Sequence, residues 1–328
     1  MTRFRLALSL SLLAIALSLL GAACGSDAQD DRLLVVTTVA PLRNIIEEVG
    51  GDRIAVVALV PEGTNSHTFD PPPSAVGEIE KADLIIINGL NLELPTLELA
   101  EANAADNTPI VLLGNLAVSP DEYVFDFSFP EEDGNPNPHL WTAPHLAVEY
   151  AEIVLGELSK VDPEGADYYS DNADLFIARL WELDEAIAEA TATIPLAHRK
   201  LITYHDSFPY FAPRYGLEII GAIQPSDFSE PAPREVANLI GQIRDAGVPA
   251  IFGSEVFPSE VLETIAEEAG AVQVSTLSDD DLPGTPGDPG NTLVGMMVEN
   301  VRTMVTVLGG DASALDRFDT SSTWQPSE

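Results

Sequence analysis

The feature that most constrains the fold is a repeated alternation of short, continuous apolar runs with amphipathic stretches. LLVVTT (33–38), IAVVALV (54–60), LIIING (84–89) and IVLLG (110–114) form a first set of runs. LITY (201–204), LEIIGAI (217–223), AIFGS (250–254) and VQVSTL (272–277) form a second. Runs this short and this apolar fit strands covered on both faces, the condition of a parallel sheet with helices on either side. The stretches between them read as helices. In the first, Leu42, Ile45, Ile46 and Val49 share a face, Pro41 opens it and Gly50-Gly51 stop it. Between the two sets, 163–193 carries Leu175, Phe176, Leu180, Leu183 and Ile187 at helical spacing, with no proline after its first position. The expectation is an α/β protein of two βα lobes with mostly parallel sheets, 33–162 and 194–310, joined by one long helix, 163–193. The acidic, aromatic stretch 119–138 reads as a surface loop, and 311–328 as a flexible polar tail.

The start of the chain reads as an export signal, 1–23. Arg3 and Arg5 precede an apolar run from Leu6 to Leu20, too short for a comfortable transmembrane helix, and Gly21, Ala22 and Ala23 are small. Cys24, the single cysteine, follows directly, which excludes an internal disulfide and resembles the lipid-attachment site of bacterial lipoproteins, although Gly21 stands where that motif usually has leucine. Residues 24–32 then form a short tether. The chain holds 53 acidic against 15 basic residues, a net charge of −38, and such a field repels nucleic acid.

Three of the five histidines fall in or beside loops that can face a cleft. His67 follows 54–60, His139 stands in NPHLW at the end of the acidic loop, and His205 comes directly after LITY. Ligands of open α/β sheets bind beyond the carboxyl ends of the strands, so all three can line one cleft between two lobes. Imidazole suits zinc, copper, iron and nickel. The run Asp279-Asp280-Asp281, just after 272–277, offers a carboxylate as a fourth ligand. A closed set of three histidines and one aspartate favours storage or transport, because catalytic zinc keeps a position open for water. The chain has no HExxH and no CxxC, and a lone histidine at a strand end is more often a hydrogen-bonding loop residue.

The stretch from Thr37 to Glu93, which includes NSHTFDPPP, resembles the opening of the metal-type (cluster A-I) substrate-binding lipoproteins of ABC transporters, also called the adhesin lipoprotein family. NPHLWTAP, YHDSFPYFAPRYGL and LSDDDL resemble three further motifs of that family, in the same order. The resemblance implies His67, His139 and His205 as metal ligands and aligns Asp280 with the fourth, with Asp279 and Asp281 as close rivals. Asn137 and Ala143 replace aspartates of the family pattern that are not ligands there. Glu255 stands where the family often carries a glutamate near the cleft, and is expected to support the ligands from behind. His145 and His198 match no ligand motif.

The resemblance further implies an exported monomer on the outer face of the cytoplasmic membrane or in the periplasm, held by a lipid anchor. It would capture a divalent metal for the permease of an ABC importer and would not be an enzyme. Manganese members of the family tend to carry glutamate as third ligand, so His205 favours Zn2+, with Mn2+ or iron as alternatives. The loop before His139 lacks the His-rich tract of many zinc members. The rival readings are a secreted zinc hydrolase, with Glu255 as its base, and a metal-free adhesin.

Overall fold

The computed structural model describes residues 32–256 and 260–324. The export segment, Cys24 and the tether up to Asp31 lie outside the described residues. The first sheet contains β1 (Leu33–Thr37), β2 (Ile54–Ala58), β3 (Leu84–Ile87) and β4 (Ile110–Leu112), all parallel, in the order β2-β1-β3-β4. Its helices are α1 (Ala40–Gly50), α2 (Val76–Ile79), α3 (Leu94–Asn103) and α4 (Leu113–Ala117). Two long helices follow, α5 (Pro144–Val161) and α6 (Ala166–Ala192). The second sheet contains β5 (Lys200–Thr203), β6 (Glu218–Ala222), β7 (Ala250–Ser254) and β8 (Val272–Leu277), again parallel, in the order β6-β5-β7-β8. With it come α7 (Phe211–Arg214), α8 (Pro233–Ala246), α9 (Val261–Ala269) and, last, α10 (Leu293–Val307). The two sheets thus share one winding order, and each reverses direction between its first and third strands. That reversal opens a crevice at the carboxyl ends of the strands.

The apolar pattern explains these elements. β3 is buried at every position, as expected of a central parallel strand. On α1 the side chains of Leu42, Ile45, Ile46 and Val49 are fully buried. Gly51 ends that helix at φ 52, and a Cβ there would stand 2.3 Å from the Tyr168 hydroxyl of α6, so both conformation and space require glycine. Helix α6 buries Tyr169, Ala173, Phe176, Leu180, Leu183 and Ile187 along one stripe. Leu175, expected on that stripe, is instead 60% exposed, because the stripe passes through its neighbour Phe176. One continuous core, which includes Phe176, Leu180 and Leu183 of α6, joins Val35 and Leu84 of the first sheet to Leu201 and Phe252 of the second.

Residues 311–324, expected to be loose, are fastened to the body. Leu315 is fully buried and Phe318 packs against the common core. Arg179 of α6 donates to the carbonyls of Asp319 (2.8 Å) and Ser321 (3.2 Å), and Thr292 donates to that of Thr320 (2.6 Å). The carboxylate of Glu48, on α1, accepts from the Thr323 N–H (2.9 Å), the Thr323 hydroxyl and the Trp324 N–H (3.4 Å). These bonds go to backbone groups and to one buried acid, which leave no signature in a polar sequence.

Glu93, 2% exposed, ties the carboxyl ends of β1 and β3 together. It accepts from the Thr38 hydroxyl (2.7 Å) and from the N–H groups of Asn88 (2.9 Å) and Gly89 (3.3 Å). Asn88 in turn donates to the Pro138 carbonyl (3.1 Å) and accepts from the Tyr150 hydroxyl (2.6 Å). Burial pushes the Glu93 carboxyl up to about 7, against the pull of those hydrogen bonds.

Two predictions follow from these contacts. Glu48→Ala removes the acceptor of the terminal segment and lowers stability by about 1–3 kcal/mol in chemical denaturation. It should also open the chain to trypsin at Arg317, and digestion indistinguishable from wild type would contradict the fastening. For Glu93, the folded chain keeps the proton that the unfolded chain releases above the ordinary value of 4.5. Its contribution is therefore full below that pH and is lost as pH rises through about 7. The stability of wild type relative to Glu93→Gln should fall by roughly 3 kcal/mol between mildly acidic and mildly alkaline solution. A difference that does not change with pH would refute the assignment.

Candidate metal centre

Three imidazoles meet where the carboxyl ends of the two sheets face each other. His67 hangs from the loop after β2, where its N–H bonds to Asn65 Oδ1 (2.9 Å). His139 precedes the short turn Leu140–Thr142 that leads into α5, and His205 lies just beyond β5. Their Nε2 atoms stand 3.3 Å (His67–His139), 3.3 Å (His67–His205) and 3.0 Å (His139–His205) apart. A tetrahedral ion with metal–nitrogen bonds of about 2.05 Å requires nitrogens about 3.3 Å apart. The triangle therefore has the size of one face of such a tetrahedron. Among the described residues this is the group of side chains whose ligand atoms converge closely enough for a metal.

Neighbouring amides aim two of these rings. His139 Nδ1 donates to Asn137 Oδ1 (2.8 Å), and the Asn137 amide nitrogen donates to the Asp206 carbonyl (2.6 Å), which fixes its orientation. Asn137 thus accepts from the ring as an aspartate would. His205 Nδ1 donates to Gln224 Oε1 (2.7 Å). With the proton on Nδ1, each Nε2 presents its lone pair to the centre. Burial pushes His67 and His139 well below the usual imidazole range, so both are neutral at neutral pH.

The three aspartates after β8 have different surroundings. Asp279 accepts from the hydroxyls of Ser207 (2.6 Å) and Ser254 (3.1 Å), one on each oxygen. Asp281 turns to the Gly63 N–H (2.6 Å). Asp280 accepts from Ser66 through Oδ2 (2.6 Å), while its buried Oδ1 has no hydrogen-bond partner. That oxygen stands 3.9 Å from His139 Nε2, a little farther than the nitrogens stand from one another. An unpaired buried carboxylate oxygen is costly, and a cation at the centre would satisfy it. Burial pushes the Asp280 carboxyl up to about 6.

Glu255 stands behind this loop. Its Oε1 accepts from the consecutive N–H groups of Asp279 (2.8 Å), Asp280 (3.1 Å) and Asp281 (3.0 Å). Trp141 Nε1 donates to the Asp279 carbonyl (2.7 Å). The loop that carries Asp280 is thereby held from both lobes. His145 and His198 lie elsewhere: burial pushes His145 down to about 4 beside Arg214, and His198 Nδ1 donates to the Leu308 carbonyl (3.1 Å). Sequence reasoning missed Ser66, Gln224 and the rings of Phe129 and Phe228, which close around His67. Only Gln224 left a trace, as a polar residue at the end of a strand pattern.

A sequence profile of the family described as "ZnuA: Zinc-uptake complex component A periplasmic" matches residues 35–307. The manganese-binding lipoprotein MntA of Halalkalibacterium halodurans is 28% identical over 303 residues, 91% of this chain and 97% of that protein. The high-affinity zinc uptake system protein ZnuA of Bacillus subtilis is 28% identical over 265 residues, 77% of this chain and 82% of that protein. The fold matches the periplasmic zinc-binding protein TroA of Treponema pallidum with a TM-score of 0.76 at 24% identity, over 84% of this chain and 99% of that one. Two parallel-sheet lobes on a long helix, three converging imidazoles and a profile match across both lobes agree: the chain belongs to the ZnuA family, the metal-binding substrate-binding proteins of ABC importers.

Proposed function

We propose that this chain captures one divalent transition metal ion, Zn2+ in preference to Mn2+, and delivers it to the permease of an ABC importer. His67, His139, His205 and Asp280 are its ligands. The observation that carries this reading is the spacing of the three Nε2 atoms, 3.0–3.3 Å, with an unpaired buried carboxylate oxygen beside them. Three nitrogens and one oxygen suit zinc better than manganese, which favours harder oxygen donors. A closed set of four leaves no position for the activated water of a hydrolase, so the chain acts as a carrier and not as an enzyme. A relative named for manganese and one named for zinc are both 28% identical, over 303 and 265 residues, which keeps manganese as the second reading. The ion enters and leaves the cleft with the chain as a monomer, anchored to the outer face of the membrane through a lipid on Cys24. Among the described residues no helix is long and apolar enough to cross a membrane.

The test is the metal content of protein lacking residues 1–24, after dialysis against equimolar zinc and manganese. One zinc per chain is expected, and none in His205→Ala. One manganese per chain would overturn the metal, and no metal would overturn the site. Such a site holds zinc more tightly than manganese whatever its cargo, so the cargo itself is read in cells. Cells lacking the protein should grow poorly when zinc is chelated, and should recover with wild type but not with His205→Ala.

A further inference from the structure

We infer that Phe228 is a lid over the metal centre and that Gln224 ties this lid to His205, so that the pair sets the rate of metal release. The inference rests on the ligand reading above.

The lid is visible in the packing. His139 and His205 are essentially buried, 0% and 1% exposed, whereas His67 is only partly covered. What covers His67 is aromatic. The Phe228 ring stacks on its imidazole with centroids 4.3 Å apart and planes at 15°. Phe129 stands 5.5 Å from the same imidazole and 5.9 Å from Phe228. A small cavity of about 70 Å³ beside them reaches His67 and is lined by Asn91, Phe129, Asp133, Asn135 and Phe228. Its walls are both polar and apolar, and Phe228 forms one of them where the cavity meets His67.

The lid comes from the opposite lobe. His67 belongs to the first lobe, and Phe228 lies in the loop between β6 and α8. Phe228 adopts φ 57, a region that a bulky side chain rarely enters, so the closed loop has to be held. Gln224, 3% exposed, does the holding. Its Oε1 accepts from His205 Nδ1 (2.7 Å), and its Nε2 donates to the Phe228 carbonyl (3.3 Å). The Ser128 hydroxyl donates to the Gln224 carbonyl (2.7 Å) and anchors the loop to the other lobe.

This geometry couples metal to lid. A cation on His205 Nε2 makes the Nδ1–H a stronger donor, which tightens its bond to Gln224 Oε1. The same contact fixes the amide orientation in which Nε2 grips the Phe228 carbonyl. Metal therefore favours the closed loop, and the strained backbone of Phe228 favours reopening once the ion has gone. Gln224 is a positioning residue in this scheme, and Phe228 is a barrier.

The experiment follows zinc release from the loaded protein into a chromogenic chelator by stopped flow, with stoichiometry measured on each sample. Phe228→Ala should release zinc about ten-fold faster, and should also take it up faster, so that affinity changes less than either rate. Phe228→Gly accommodates the positive φ without strain and should accelerate release as well, which guards against a misfolded alanine variant. Gln224→Glu keeps an acceptor for His205 but loses the donor to Phe228. It should release faster, and combining it with Phe228→Ala should add little beyond Phe228→Ala alone. Wild-type release rates in both Phe228 variants would overturn the lid. Slower release in Gln224→Glu, from a more basic His205, or fully multiplicative effects in the double variant would overturn the tie. Failure of the ligand reading is distinguishable, because His67→Ala would then retain one zinc per chain.

Discussion

Three imidazole nitrogens held 3.0–3.3 Å apart in a buried site are the constraint on which the rest of the structure depends. Without a cation, three lone pairs face one another there beside a carboxylate oxygen that has no partner. Such a cluster persists only if the surrounding structure fixes every ring. Asn137 and Gln224 do so for His139 and His205, and three backbone N–H groups on Glu255 do so for the loop of Asp280. The hydrogen-bonded shell therefore gives the cluster its shape.

The two lobes meet this requirement by using one winding order twice. Each places loops that carry these side chains at the carboxyl ends of its strands, and α6 with the common core keeps those ends opposed. Ser66 to Asp280 and Gly63 to Asp281 join the loop of His67 directly to that of Asp280. The terminal segment adds another connection, from the start of α10 through Arg179 to Glu48. That segment lies beyond the part of the chain matched by the family profile. A body cross-linked in this way suits capture by local loop movement better than a wide hinge.

Much of this was legible in the sequence, for physical reasons. Continuous apolar runs announce buried parallel strands, and all eight strands of the described residues lie within those runs or one residue beyond, as Lys200 does before LITY. The long helix was legible from its stripe, although Leu175 turned out to face solvent. The three histidines were legible as a set from their places in or beside loops at the strand ends and, more specifically, through family motifs, because residues 67, 139 and 205 carry no local spacing rule. What stayed hidden depends on tertiary partners. Asp279, Asp280 and Asp281 look alike in sequence and differ only in which hydroxyl or N–H each one meets. Glu48 and Thr323 are 275 residues apart, and Phe228 reaches His67 from the other lobe with no motif around it.

The central claim is that one ion is held by three imidazoles and one carboxylate, with no water. X-ray absorption at the zinc edge of the loaded protein measures this directly. The account predicts four nitrogen or oxygen neighbours at about 2.0–2.1 Å, with the outer scattering of three imidazole rings. Two or fewer imidazoles, or five or six neighbours that include water, would contradict it.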